Sequence, residues 1–274
     1  MRTLAIANQK GGSAKTTTAV TLAAALGERG RRVLLLDLDP QASASQWYGV
    51  TPAGRGLLDV LVGEGPLAAL VQPTGAPGVA LVPASTWLVG VEKALAGEVG
   101  AETLLRGHLA ALPADRWDDL VIDCPPTLGL LTVNALAAVQ ALLVPVEAHV
   151  MALQGLAQLL QTVEVVQARL NPALTLAGIL ACRVHAHTRH AQEVVEELRR
   201  RFGDLVYQGV IRDNVRLAEC PSFGCPITQY APRSPGAADY RALAAELLQR
   251  QGEVPHGPAQ APHDRHQPAR RRRA

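Results

Sequence analysis

The stretch that most limits what this chain can fold into lies within its first eighteen residues. An apolar run over residues 3–8 reads as a buried strand. It gives way at once to Gln9-Lys10-Gly11-Gly12-Ser13-Ala14-Lys15-Thr16-Thr17-Thr18, a polar glycine-rich turn that opens a helical pattern over 15–29, with Gly30 as its stop signal. A strand, a tight turn and a helix N-terminus in that order aim a row of backbone N–H groups and the positive end of a helix dipole at one point, a ready anion site. Glycines let the backbone come close to the anion. Lys15 is placed to reach the β- and γ-phosphates of a nucleotide, and the Thr16 hydroxyl to ligate Mg2+. The general G-x-x-x-x-G-K-[ST] pattern is not met, because Gln9 and Ala14 occupy its two glycine positions.

Beyond the first helix the chain keeps alternating. Strand patterns fall at 32–37, 79–83, 120–123, 141–146, 176–182 and 205–211, and helical patterns at 91–110, 130–138, 152–170, 191–201 and 237–251. This spacing predicts a doubly wound α/β fold, a mostly parallel sheet with helices on both faces, whose ligand sits at the carboxyl ends of the strands. Residues 54–78, rich in Gly and Pro, read as a variable surface excursion. Residues 1–254 form a single domain in this reading. Residues 255–274, dominated by Pro, His and Arg, are expected to be a disordered basic tail.

Lysine is the rare cation: of 26 Lys+Arg only Lys10, Lys15 and Lys93 are lysines, and two of the three stand in the glycine-rich turn. Residues 256–274 hold five arginines and one aspartate, so the other 255 residues carry 21 cations against 23 carboxylates. A body of that balance is not a generally basic nucleic-acid binder; an anionic partner has to be met by a local patch or by the tail. No apolar run reaches membrane-span length, and the N-terminus lacks the apolar core and cleavage site of a signal peptide. Four scattered cysteines do not make a disulfide framework, so a reduced, cytoplasmic setting is expected.

Two further segments carry carboxylates at strand ends. In Asp37-Leu38-Asp39-Pro40-Gln41 the strand period puts Asp37 and Asp39 on one side. Leu120-Val121-Ile122-Asp123-Cys124-Pro125-Pro126 is an apolar strand ending in Asp123, the arrangement that holds a carboxylate near Mg2+, often through water. Cys124 reads as a packed strand-end residue. Cys220 and Cys225 lack the second pair that a zinc site needs.

The turn resembles the deviant Walker A motif, K-G-G-x-x-K-[ST], of the ParA/MinD-type ATPases, with Lys10 as its additional signature lysine. Asp123-Cys124-Pro125-Pro126 with Thr127-Leu128-Gly129-Leu130-Leu131-Thr132-Val133-Asn134 resembles the ParA/Soj form in particular. The segments Val146 to Leu156 and Ile211 to Gly224 are also similar to that family, so the resemblance runs from residue 1 to about 251. The additional N-terminal helix-turn-helix domain of the plasmid forms is not expected in this chain.

The resemblance implies an ATPase that uses ATP and Mg2+. Residues Lys10, Gly11, Gly12, Ser13, Ala14, Lys15, Thr16, Thr17 and Asn214 would hold the nucleotide. Lys10, Lys15 and Asp39 would be catalytic, Asp39 by positioning the attacking water. Thr16 and Asp123 would hold Mg2+, with Asp37 in support. It further implies an ATP-dependent homodimer in which Lys10 crosses to the partner's nucleotide. That dimer would bind non-specific double-stranded DNA and be released on hydrolysis stimulated by a ParB-type partner, a nucleoid-associated protein with no membrane role. Arg216 matches a DNA-holding arginine of the family. Another such position falls on His187, where Arg183 and Arg189 lie close by; Arg199-Arg200-Arg201 and Arg270–Arg273 are additional basic runs. The sequence departs from the family pattern at Ala14, usually Gly, and at Arg212-Asp213, which stand where relatives have Pro-Arg beside the adenine. Two other classes share the scaffold. A MinD-like membrane switch would need a C-terminal amphipathic helix, for which the tail has no apolar face. A metabolic ATP-dependent enzyme, an amide ligase or a reductase iron protein, would need a substrate pocket or paired cluster cysteines.

Overall fold

In the computed structural model the described residues are 1–113, 115–148, 152–185 and 188–252. One seven-stranded sheet runs in the order β3-β4-β2-β5-β1-β6-β7. Its strands are β1 (Arg2–Ile6), β2 (Val33–Asp37), β3 (Gln72–Pro73), β4 (Val79–Val82), β5 (Asp119–Asp123), β6 (Ala141–Glu147) and β7 (Thr175–Cys182). All neighbours pair in parallel except β3, which runs antiparallel to β4. The helices are α1 (Lys15–Gly27), α2 (Ser43–Trp47), α3 (Leu57–Leu61), α4 (Val91–Ala94), α5 (Leu104–Ala110), α6 (Leu130–Ala138), α7 (Ala152–Arg169), α8 (Arg189–Phe202), α9 (Val215–Phe223), α10 (Ile227–Tyr230) and α11 (Pro235–Gly252). Among the described residues no helix is long and apolar enough to cross a membrane.

The two faces follow from the strand period. Leu4 and Ile6 of β1, with Leu35 and Val121, enter one core together with Val20, Leu22 and Leu26 of α1 and Tyr240, Leu243 and Leu247 of α11. Ala5, with Leu34, Leu36, Ile122 and Leu142, enters a second core with residues of α3, α5, α6, α7 and α8. Strands buried on both faces have no polar side to show, which is why they read as unbroken apolar runs. Register then sets where the polar residues fall. Asp37 pairs with Asp123 across β2 and β5, and Ile6 pairs with Asp123 across β1 and β5. The carboxyl ends of three adjacent strands are therefore level, and the chain leaves β1 into the glycine-rich turn at that level.

Three sequence expectations are corrected. The helical pattern over 91–110 is interrupted: α4 and α5 are separated at Gly97 (φ +85°) and Gly100 (φ +78°), left-handed positions that a continuous helix excludes. Residues 54–78 are not mere surface. Leu57, Leu58, Val60 and Leu61 of α3 and Leu67 are buried in the second core. The run 205–211 is not a full strand. It meets β7 only in places, with one bridge, Ile179 to Val206, and the Tyr207 and Ile211 amides donating to the Ile179 (2.9 Å) and Ala181 (2.8 Å) carbonyls, and a second bridge links Val184 to Arg212. The Glu246 carboxylate takes the amides of Gln208 and Gly209, which draws the chain off the strand edge. The tail from residue 255, with Arg270–Arg273, and His187 lie outside the described residues.

The 205–211 run can lie so close to β7 because Gly178 sits at φ +151°, where an added Cβ would stand 2.6 Å from the Tyr207 ring and 2.8 Å from the Leu205 carbonyl. Gly178→Ala is expected to lower unfolding free energy by roughly 1–3 kcal/mol through overpacking and backbone strain, measured by urea denaturation. Unchanged stability would show that the contact is looser than this packing.

Candidate nucleotide and metal site

The turn after β1 is built by two left-handed residues, Gly12 (φ +75°) and Ala14 (φ +68°). Ala14 is the N-cap of α1, and its side chain makes no cap hydrogen bond, so the first amides of α1 are left for another acceptor. The turn is anchored from outside. Asn8, buried at the end of β1, donates from Nδ2 to the Pro145 carbonyl (2.7 Å) and accepts at Oδ1 from the Lys10 amide (3.1 Å). Lys15 is only 7% exposed, and its Nζ donates to the Lys10 carbonyl (3.1 Å). Gly11 and Gly12 are exposed, and an added Cβ at either meets no atom within 4 Å. The backbone angle favours glycine at Gly12. At Gly11 no close contact within the chain does, which leaves room for a closely approaching ligand. Ser13 is buried and its hydroxyl has no hydrogen-bond partner, while Thr16 and Thr17, half-buried, form the first turn of α1.

Facing the turn are the three carboxylates. Asp123 is fully buried, and neither of its carboxylate oxygens has a hydrogen-bond partner. Burial pushes its carboxyl well above the usual range, and the Asp37 and Asp39 charges add to this while Thr16 and Lys15 oppose it. Asp37, also fully buried, is raised by burial; it accepts from the Ser45 amide (2.8 Å) and hydroxyl (2.7 Å), which hold α2 against it. Asp39 accepts at Oδ1 from the Gln41 amide (2.9 Å) and lines a cavity of about 330 Å³ with Pro40, Glu92, Pro125, Pro126 and Leu130. Burial lowers the Lys15 ammonium, with Asp123 and Asp39 acting against that.

Asp123 and Asp39 act on the single Lys15 ammonium, Asp37 stands opposite Asp123, and the buried Asp123 oxygens are without a hydrogen-bond partner. A hard divalent cation with oxygen ligands fits that donor set. Among the described residues no group of three or more His, Cys, Asp or Glu is arranged to hold a metal unaided. A Mg2+ at this position would need phosphate or water oxygens to complete its shell.

The remaining sequence candidates lie on other elements. Asn214 caps α9, its Oδ1 accepting from the Arg216 amide (2.9 Å). Arg216 is exposed and spans to Glu219 (2.9 Å) and Tyr230 (3.4 Å). Arg189 begins α8, exposed. Arg183, in the left-handed region at φ +53°, is not remote from the turn at all: its Nη1 is 3.6 Å from Glu147, whose other oxygen is 3.0 Å from Lys10 Nζ. Arg212 is absorbed by Asp239 through its amide (3.0 Å) and a two-pronged guanidinium contact. Of the run 199–201, Arg200 and Arg201 pair with Glu197 and Arg199 donates to the Gln208 carbonyl. Asn8, Ser45 and Glu147 are site residues that the sequence pattern did not single out. Asn8, just beyond β1, and Glu147, the last residue of β6, are each the first polar residue to follow an apolar run, a signal that could have found them. Nothing in the sequence pairs Ser45 with Asp37.

A left-handed loop at a helix N-terminus, a buried lysine and level strand-end carboxylates define an α/β protein of the P-loop class. A family model described as an AAA domain matches residues 1–176. The chain is 50% identical over 254 residues to the chromosome-partitioning ATPase Soj of Thermus thermophilus, covering 93% of this chain and 98% of that protein. It is 43% identical to the sporulation initiation inhibitor protein Soj of Bacillus subtilis, covering 89% and 97%. Among solved structures, cobyrinic acid a,c-diamide synthase from Mycobacterium smegmatis with bound ATP analogue and magnesium matches with a TM-score of 0.80 at 37% identity, covering 92% and 96%. The chain belongs to the Soj/ParA family of chromosome-partitioning ATPases.

An ionised Asp123 opposes folding because its carboxyl is raised in the folded state. Well below the unfolded carboxylate range both states are protonated and the penalty is absent; it grows as pH rises through that range toward the folded value. Asp123→Asn is therefore expected to raise the melting temperature of the metal-free protein at pH 7.5, with the gain shrinking toward pH 4. Calorimetry with and without Mg2+ checks it, and a lower melting temperature for the variant at pH 7.5 would contradict an uncompensated charge.

Proposed function

We propose that the chain is a DNA-partitioning ATPase switch. ATP draws two copies into a sandwich, the sandwich binds double-stranded DNA without sequence preference, and hydrolysis, stimulated by a ParB-type partner, releases it in a nucleoid-associated cycle. The observation that carries this reading is the phosphate turn with two lysines, Lys15 turned inward to its own loop and Lys10 at the surface beside it. One lysine suffices for a phosphate cradle, so a second one at the rim suits a phosphate presented by another subunit.

In this proposal residues Lys10 to Thr17 hold the triphosphate, their amides and the α1 N-terminus neutralising it, and Asn214 borders the base. Lys15 supplies a point charge to the transferred phosphoryl group. Thr16 and Asp123 would hold Mg2+, with Asp37 in support, and the ion would supply neutralisation of the developing charge on the phosphate oxygens. Asp39, tethered by the Gln41 amide, orients water for in-line attack. Phosphoryl transfer asks little covalent chemistry of a protein; positioning and charge neutralisation account for most of it. Arg183, Arg189 and Arg216 contact DNA phosphates, giving salt-sensitive and sequence-independent affinity.

A second reading, an ATP-dependent amide ligase, is favoured by the cavity beside Asp39 and by the likeness to the diamide synthase structure. ATP turnover in the absence of any carboxylic acid or ammonia separates the two, since a ligase requires both.

Lys15→Ala is expected to lower ATP affinity by at least tenfold in equilibrium binding; unchanged affinity would remove the loop from the site. Arg216→Glu is expected to keep ATP binding and lose DNA retention at low salt in a mobility-shift assay with a non-hydrolysable analogue. Retention equal to wild type would place the DNA surface elsewhere, and binding independent of nucleotide would overturn the switch.

A further inference from the structure

Lys10 is held twice. Its main chain is fixed, the amide by Asn8 Oδ1 (3.1 Å) and the carbonyl by Lys15 Nζ (3.1 Å), so only its four-carbon side chain is free to change direction. At the end of that side chain Nζ lies 3.0 Å from Glu147 Oε2, with the two side chains 37% and 28% exposed. Glu147 is the last residue of β6, which pairs with β1 and so is rigid with respect to the turn. The ammonium is thereby drawn back over its own subunit.

We propose that Glu147 is a latch in cis on Lys10: it holds the loop lysine on its own subunit and so sets how readily two copies close on nucleotide. The latch rests on the proposed switch, in which Lys10 reaches the partner's phosphates. Its second half is Arg183. In the register of β6 with β7, Glu147 stands opposite Cys182, and the next residue, Arg183, turns through the left-handed region and brings Nη1 within 3.6 Å of Glu147 Oε1. One carboxylate is thus shared by two cations. When Lys10 leaves for a phosphate, Arg183 remains as counter-charge, and Glu147 is not stranded next to an anion. Arg183 competes with Lys10 for Glu147 and so loosens the latch.

The arrangement makes two variants move in opposite directions. Glu147→Gln releases Lys10 and is expected to tighten dimerisation roughly three- to tenfold, the size of two partly exposed ion pairs lost per dimer. Arg183→Gln leaves Glu147 to Lys10 alone and is expected to weaken dimerisation, while Arg183→Lys stays near wild type. In the double variant Glu147→Gln/Arg183→Gln the effect of Arg183 disappears, and dimerisation matches that of Glu147→Gln.

The measurement is sedimentation equilibrium of the full chain with Mg2+ and a non-hydrolysable ATP analogue, without DNA. Raising salt is expected to narrow the gap between wild type and Glu147→Gln, since the pair is screened. Shifts of the two single variants in the same direction, or an unchanged constant for Glu147→Gln, overturn the latch. Lys10→Ala separates the latch from the switch beneath it. If it dimerises like wild type, Lys10 does not serve the partner's nucleotide. If it fails to dimerise while Glu147→Gln equals wild type, the switch stands and the latch does not.

Discussion

The structure turns on a clash of like charges. Asp37 and Asp123 stand directly opposite each other on adjacent parallel strands, Asp39 follows two residues on, and one buried ammonium, Lys15, answers Asp123 and Asp39. In a low-dielectric interior that arrangement is costly by itself. The fold nevertheless fixes it, because register is set by the apolar residues below. Leu34 to Leu36 and Leu120 to Ile122 are paired and buried on both faces, and sliding one strand to part the aspartates would turn its apolar set out of register along the whole ladder. The charge is therefore held in place by the core, and its relief has to come from what binds.

The turn opposite shows the same division between local cost and distant support. Ala14 in the left-handed region costs about 1–2 kcal/mol relative to glycine's freedom there. Its methyl group packs against the α1 face of the core, a contact glycine would lack. The strained residue is held by contacts made well away from the phosphate side, and the amides of the first turn stay uncapped. A loop of that kind is preorganised: its dipoles already point where an anion would sit, with no reorganisation on binding.

Those parts of the molecule dictated by a single period were legible in the sequence. The core strands follow from apolar runs, the strand-tip aspartates Asp37 and Asp123 from the carboxylate that ends two of them, and α1 and α6 from helical patterns; β5 differs from its expected span by one residue. The unreadable parts are those in which a side chain overrides the backbone pattern. The 205–211 run has strand composition, yet Glu246 from α11, 37 residues away, captures its amide at Gly209. Residues 215–223 form a helix despite Pro221 within it, because Asn214 caps the start and Gly224 in the left-handed region closes the end. The link from Trp47 of α2 to the Cys225 carbonyl just beyond α9 (3.0 Å) joins residues 178 apart, a distance no local pattern spans. The break between 91 and 110 is of another kind, since Gly97 and Gly100 stand in the sequence itself and glycine disfavours a helix interior.

The preference for arginine has a structural meaning that composition hides. Arg32 with Asp118, Arg212 with Asp239 and Arg241 with Glu28 are guanidinium forks that tie loop to loop, loop to α11 and α11 to the end of α1, and Arg250 with Glu246 is a pair within α11. A planar fork suits a carboxylate in two places at once, which an ammonium does not. Among the described residues most of the basic side chains are thus already occupied, and a high arginine count says little about nucleic acid. Arg216 belongs in part to the same set, since Glu219 and Tyr230 hold it. But it is exposed, and an exposed pair is weak enough for a phosphate to displace. In the proposed switch, each protomer on its own then offers DNA only a few arginines that are partly satisfied already, with a body of slightly negative charge around them. Such a surface gains useful affinity only when two copies present their patches together, which makes DNA binding depend on dimerisation by electrostatics alone, without any change in the shape of the arginine patch.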